Sequence, residues 1–165
     1  MKKIIFSWFS CLVFSILLIP LVYNEFGSVL GQQKEQNQTA LVSVGGENII
    51  ATLSTTPESQ SKGLAIKDSI KQNEGMLFIF KSAQKYSFWM KDMKFPIDIL
   101  WIDPSGKIVH IEKNLQPCVF LLPCPSYSPH DDSLYVLEVI SNFTNKFDIK
   151  IGDQVYSNAI QHIQG

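Results

Sequence analysis

From residue 41 onward, apolar and polar positions alternate with period two over short stretches, the pattern of strands that turn one face to a core. Val42 and Val44 alternate with polar neighbours, Gly45-Gly46 turns the chain, and Ile49 to Ser54 completes an opening hairpin. Thr55-Thr-Pro-Glu58 has capping-box spacing, with Pro57 tolerated in a first helical turn, so a short helix is predicted that Gly63 ends. Residues 66–75 are polar and irregular, and Met76 to Phe80 then reads as a buried, central strand. In Tyr86 to Lys91 the alternation puts Tyr86, Phe88 and Met90 on one face and Ser87, Trp89 and Lys91 on the other.

Ile97 to Asp103 groups Asp98, Leu100 and Ile102 against Ile97, Ile99 and Trp101. Asp103-Pro-Ser-Gly106 is a turn into Lys107 to Glu112. A simple four-residue turn would set Leu100 opposite Val109 and Asp98 opposite Ile111, unless a bulge shifts the register. Leu134 to Val139 is another core strand, with Glu138 between Leu137 and Val139. Ser141 to Phe147 reads as a short helix capped by Ser141, on which Phe143 and Phe147 meet. Ile149, Ile151, the Gly152-Asp153 turn and Val155 complete the sheet, and the tail from Asn158 is polar apart from Ile160 and Ile163.

The N-terminus breaks this pattern. Lys2 and Lys3 precede an uncharged run over residues 4–24, long enough as a helix to cross a hydrocarbon core of about 30 Å. Positive charge before the run and Glu25 after it predict a cytoplasmic N-terminus and an extracytoplasmic domain. Small residues Val29 and Gly31 leave cleavage before Gln32 open, so residues 1–31 are either a transmembrane anchor or a signal peptide, and in the second case the domain is secreted. Residues 32–40 follow as a polar linker and 41–165 as a single domain. Two Asn-x-Thr tripeptides, at Asn37 and Asn142, are candidate glycosylation sites.

Composition narrows the classes. A formal net charge of -1 carries no electrostatic footprint for nucleic acid. All 14 basic residues are Lys, so an anion site would have to use Lys or backbone amides. No nucleophile, metallopeptidase or phosphate-loop motif is present, no cofactor is implied, and a monomer is expected.

Three constellations carry chemistry. Asp98 lies in an otherwise oily strand and needs donors or a cation, because an unpaired buried carboxylate costs several kcal/mol. Either it accepts backbone or indole hydrogen bonds and pins the loop that Lys91 opens, or it lines a ligand pocket with Trp89, Lys91 and Trp101. Cys118 and Cys124 predict a disulfide in an exported domain, with His130 completing an alternative three-ligand metal set. Asp98 and Glu138 could serve as the two carboxylates of a hydrolase if they flank one cleft.

Several stretches also match a family in order. FWMK at 88–91, PIDILWID at 96–103 and KIVHIEKN at 107–114 resemble the core signature of domain of unknown function 192. Gly63-Leu64, NEGMLFIF at 73–80, the Pro117-Cys to Pro125 segment, YVLEV at 135–139 and IKIGDQV at 149–155 extend the resemblance over roughly 41–157. The family usually has Gly-Leu-Met at the first of these, where this chain has Ala65. The resemblance implies a mainly β fold, a compact antiparallel β-sandwich of jelly-roll type with one or two short helices, and brings no agreed reaction. The expected function is therefore an extracytoplasmic module, held to the membrane through residues 4–24, that binds a small molecule. The alternatives are docking on another envelope protein, or the carboxylate hydrolase.

Overall fold

The computed structural model describes residues 38–118 and 123–161. Expectations for residues 1–37, including the membrane run, most of the linker and Asn37, lie outside the described residues, as do those for Phe120 to Leu122 and for His162 and Ile163. Among the described residues no helix is long and apolar enough to cross a membrane.

The described residues form nine strands: β1 (Thr39–Val44), β2 (Glu47–Ser54), β3 (Glu74–Gln84), β4 (Phe88–Trp89), β5 (Ile97–Ile102), β6 (Ile108–Leu115), β7 (Ser126–Tyr127), β8 (Ser133–Ile140) and β9 (Tyr156–Ser157). Three short helices join them: α1 (Pro57–Lys62), which runs into a 3-10 turn at Gly63–Ile66, α2 (Phe143–Lys146) and α3 (Asn158–Gln161). The chain is mainly β, as the pattern predicts. The strands do not divide into two antiparallel sheets, however. Seven lie in one sheet ordered β6-β5-β8-β3-β2-β1-β9, with β4 and β7 in a separate small ladder. β2 and β3 run parallel, because residues 55–73, with α1 and the 3-10 turn, carry the chain across one face and return it in the same direction. The sheet curls until its ends meet: Lys107, beside the β6 edge, bridges Gln154, beside β9.

Both faces are covered. β5 is buried at every position, and two apolar clusters lie on opposite sides of it. Leu100 and Ile102 join Val42, Ile49, Leu77, Leu137 and Phe143 in one cluster. Ile97, Ile99 and Trp101 join Leu64, Phe78, Met90 and Val136 in the other. Strands buried on both faces lose strict alternation of apolar and polar residues, which is why β5 and β8 read as nearly continuous oily runs.

Local details move from expectation in physical steps. The β1–β2 turn is made by Gly45 and Gly46 at φ 59° and 81°, the pair of positive values that a two-residue hairpin turn requires. β1 starts two residues before the expected domain boundary, with Ala40 buried. The helix cap is Thr56 with Ser59 rather than Thr55 with Glu58: the Ser59 N–H donates to Thr56 Oγ1 at 3.2 Å, and the Thr56 N–H donates to Ser59 Oγ at 3.1 Å. Glu58 pairs instead with Lys62 one turn on, at 2.6 Å. Ser141 does not cap α2; its hydroxyl donates to Asn114 Oδ1 at 2.7 Å, while Asn142 takes the cap position at φ 68°. Leu100 lies opposite Ile111, not Val109, because the turn sets Ile102 opposite Ile108 and the β5–β6 register shifts again between Ile102 and Trp101.

Candidate functional site

Along β8 the alternation turns Tyr135, Leu137 and Val139 to one cluster and Val136 to the other. Glu138 shares the face of Val136, the face crossed by the 3-10 turn. Gly63 stands directly over its carboxyl group. At φ 52° and ψ -148° it adopts a backbone that side chains disfavour, and a Cβ there would lie 3.3 Å from Glu138 Oε2. The next residue, Leu64, donates its N–H to Oε2 at 3.2 Å. No buried side-chain polar atom among the described residues lacks a partner, so Oε1, which accepts no bond from them, is reached by the cleft that Glu138 lines. Burial pushes the Glu138 pKa up to about 7, with the Leu64 N–H pulling the other way.

The cleft has a volume of about 180 Å³. Its walls are aromatic, drawn from Phe78 and Phe80 of β3 and from Tyr86, Phe88 and Trp89. Phe80 and Tyr86 stack with centroids 3.5 Å apart, and Phe88 sets its edge against Phe78 at 4.9 Å. Trp89 is 57% exposed, and the Lys91 ammonium lies 6.0 Å from its ring centroid. Lys62 and Lys91 border the opening.

Of the four residues expected to share a pocket, the structure brings together Trp89 and Lys91. Trp101 is fully buried behind the wall, where its Nε1–H donates to the Tyr86 carbonyl at 2.8 Å and its ring meets the edge of Phe88 at 5.8 Å. Asp98 is fully buried on the opposite face. It is paired not with Lys91 but with four donors: the Asn114 N–H (2.8 Å) and Asn142 N–H (3.2 Å) on Oδ1, and the Thr144 N–H (2.9 Å) and hydroxyl (2.7 Å) on Oδ2. The shift in the β5–β6 ladder makes this arrangement. It leaves Asn114 at φ 51°, aiming its amide at the carboxylate, and Asp98 thereby ties β6 and α2 to β5. Asn142 is exposed, and the threonine of its Asn-x-Thr tripeptide is the buried Thr144 already bound to Asp98.

The pairing also removes the two-carboxylate hydrolase. Asp98 lies opposite Val139, and Ile99 opposite Glu138, so the two carboxyl groups leave opposite faces of one sheet. The cleft that Glu138 lines does not include Asp98.

Cys118 and Cys124 are joined by a disulfide with Cα atoms 5.7 Å apart. It backs the cleft wall: the Cys118 N–H donates to the Met90 carbonyl at 3.0 Å, and Ser126 and Tyr127, just after Cys124, pair with Trp89 and Phe88. His130 packs its ring against His110, 5.4 Å between centroids, and among the described residues no group of three His, Cys, Asp or Glu could hold a metal ion.

Glu138 on its own, as the floor of a cleft, is what sequence reasoning missed. Its signal was a glutamate inside the run Leu134 to Val139, with Gly63-Leu64 as the backbone that meets it.

Comparison with known proteins places this architecture. Domain of unknown function 192, described as uncharacterised ACR, matches residues 40–157. The chain belongs to this family. Among solved structures, a candidate transcription regulator from Sinorhizobium meliloti is 22% identical, with a TM-score of 0.69 over 75% of this chain and 97% of that one. A protein of unknown function from Novosphingobium aromaticivorans is 25% identical, with a TM-score of 0.68 over 76% of this chain and 89% of that one. No curated protein matches the chain. Within this domain of unknown function 192, Gly63-Leu64 and YVLEV, two of the motifs behind the resemblance, meet at the Glu138 carboxyl group.

Proposed function

We propose that the domain is a small-molecule binding module and that its site is the cleft floored by Glu138. The observation that carries this reading is one buried carboxyl group with a fixed oxygen and an open one, at the base of an aromatic-walled opening. Polar groups are buried at a cost, and one left accessible at the bottom of an apolar cleft is a recognition element for a ligand's own polar group. Trp89, exposed at the opening, supplies a flat surface for the ligand's apolar part. The test is a thermal-shift screen of the full-length protein against sugars, amines, carboxylic acids and short peptides. A ligand that binds only the folded state raises the melting temperature, by about 2.7 kcal/mol of stabilisation at a hundredfold excess over Kd. Stabilisation that disappears in Trp89→Ala supports the reading, and a screen in which no compound stabilises the protein overturns it.

The same reading places the domain outside the cytoplasm, tethered through residues 4–24 or released after cleavage. The charge pattern around that run and the disulfide, which persists in oxidising compartments, support it. Protease added to spheroplasts together with their medium should digest the domain; full protection, with lysis of the cytoplasmic membrane needed for digestion, would refute the placement.

A further inference from the structure

We infer that the cleft takes a small molecule with a single ammonium group, which enters first and pairs with Glu138, while a neutral or anionic outer end lies beside Lys91. This rests on the binding-cleft reading above and specifies its ligand. Three observations converge on it.

First, none of the ion pairs among the described residues includes Glu138, whose one bond is to the Leu64 N–H. A carboxylate buried without a cation is unfavourable, and an entering ammonium supplies what the fold leaves out. Second, aromatic side chains line the walls, and a ring face carries the negative side of a quadrupole that attracts cations. The protein makes a contact of this kind itself, with the Lys91 ammonium set against Trp89. An anion driven to the floor would meet those faces and the carboxyl group together. Third, Lys91 borders the opening, beside a Lys62 already paired with Glu58, so a second cationic group on the ligand would be repelled by Lys91, and an anionic one would be welcomed.

Pairing requires the carboxylate, so binding displaces a proton from Glu138 to solvent whenever that group is neutral beforehand. The other titratable groups facing the cleft are Lys62 and Lys91 at its border and Tyr86 in its wall. With the free Glu138 near a pKa of 7, affinity for an ammonium rises about tenfold between about pH 6 and about pH 8 and then levels off.

The experiment is titration calorimetry of the full-length protein with four probes of equal reach: 5-aminovalerate, valerate, 1,5-diaminopentane and pentan-1-ol. The expected result is binding of 5-aminovalerate, about tenfold tighter at the higher pH, with valerate and pentan-1-ol silent and the diamine weaker. In Glu138→Gln, with its fold checked by circular dichroism, binding and its pH dependence are lost. Trp89→Ala, which leaves the carboxyl group in place, lowers affinity while keeping the pH dependence, so the outcome does not hang on one variant. Valerate or pentan-1-ol binding as tightly as 5-aminovalerate would overturn the ammonium assignment and leave the cleft reading standing. Silence from all four probes overturns the assignment as well, and the cleft reading is then decided by its own screen.

Discussion

Glu138 and Asp98 are nearly adjacent across a pair of strands, yet the fold supplies them with very different numbers of donors. Asp98 is surrounded by four donors, whereas Glu138 has one. Asp98→Ala would leave three backbone N–H groups and a hydroxyl without their acceptor, both Thr144 groups among them buried. Urea denaturation should show a loss on the order of 3–5 kcal/mol, with ligand stabilisation of the remaining folded protein retained. Glu138 sets a pH dependence instead. Its folded pKa, about 7, lies above the ordinary 4.5, so the folded state holds the proton more tightly. The stability this contributes is fully present below about pH 4.5 and is lost as pH rises toward about 7, some 3 kcal/mol in all at about 1.4 kcal/mol per pKa unit. Glu58 and Asp68, held low by Lys62 and Lys94, act in the opposite sense, in more acidic solution. Melting temperatures across this range should therefore decline in the wild type and stay level in Glu138→Gln, and a decline of equal size in both would assign it to other groups. Gly63→Ala combines a disfavoured backbone with a Cβ crowding Oε2 and should cost about 1–3 kcal/mol by the same assay.

At the scale of elements, the two-residue strands β4 and β7 hold the cleft wall, and the disulfide holds them. With both cysteines changed to serine, the global stability loss should be at most about 2 kcal/mol, because the closed loop is short. The local effect should be larger: hydrogen exchange at Phe88 and Trp89 should rise while β3 and β8 stay protected, and uniform acceleration across all strands would contradict this division. Much at this level was legible in the chain. The alternation Tyr86, Phe88, Met90 against Ser87, Trp89, Lys91 matches the observed burial residue for residue, and Gly45-Gly46 turns where expected. The parallel pairing of β2 with β3 was not legible, since a polar stretch such as 66–73 shows where a strand ends and not which way the next one runs. The site failed to emerge for a related reason. Period-two alternation tells that Asp98 and Leu100 share a face, but only the crossover of residues 55–73 decides which face of the sheet acquires a cleft. The sequence pattern therefore points to Asp98, whose needs the fold meets internally, for the pocket, and to Glu138, whose needs it does not, only as a hydrolase partner of Asp98.

For the molecule as a whole, the strand order sets a schedule. β3 lies at the middle of the sheet, but its antiparallel neighbour β8 comes about sixty residues later, with Gly75 opposite Val139. A nascent chain can close the β1–β2 hairpin and add β3 by the crossover, and must then wait, with one flank of β3 bare, until the segment through Ile140 is available. That flank carries Met76, Leu77 and Phe78, an apolar stretch open to wrong partners during the delay. A holding factor acting on the growing polypeptide should therefore bind fragments ending before Ser133 and release those that include β8.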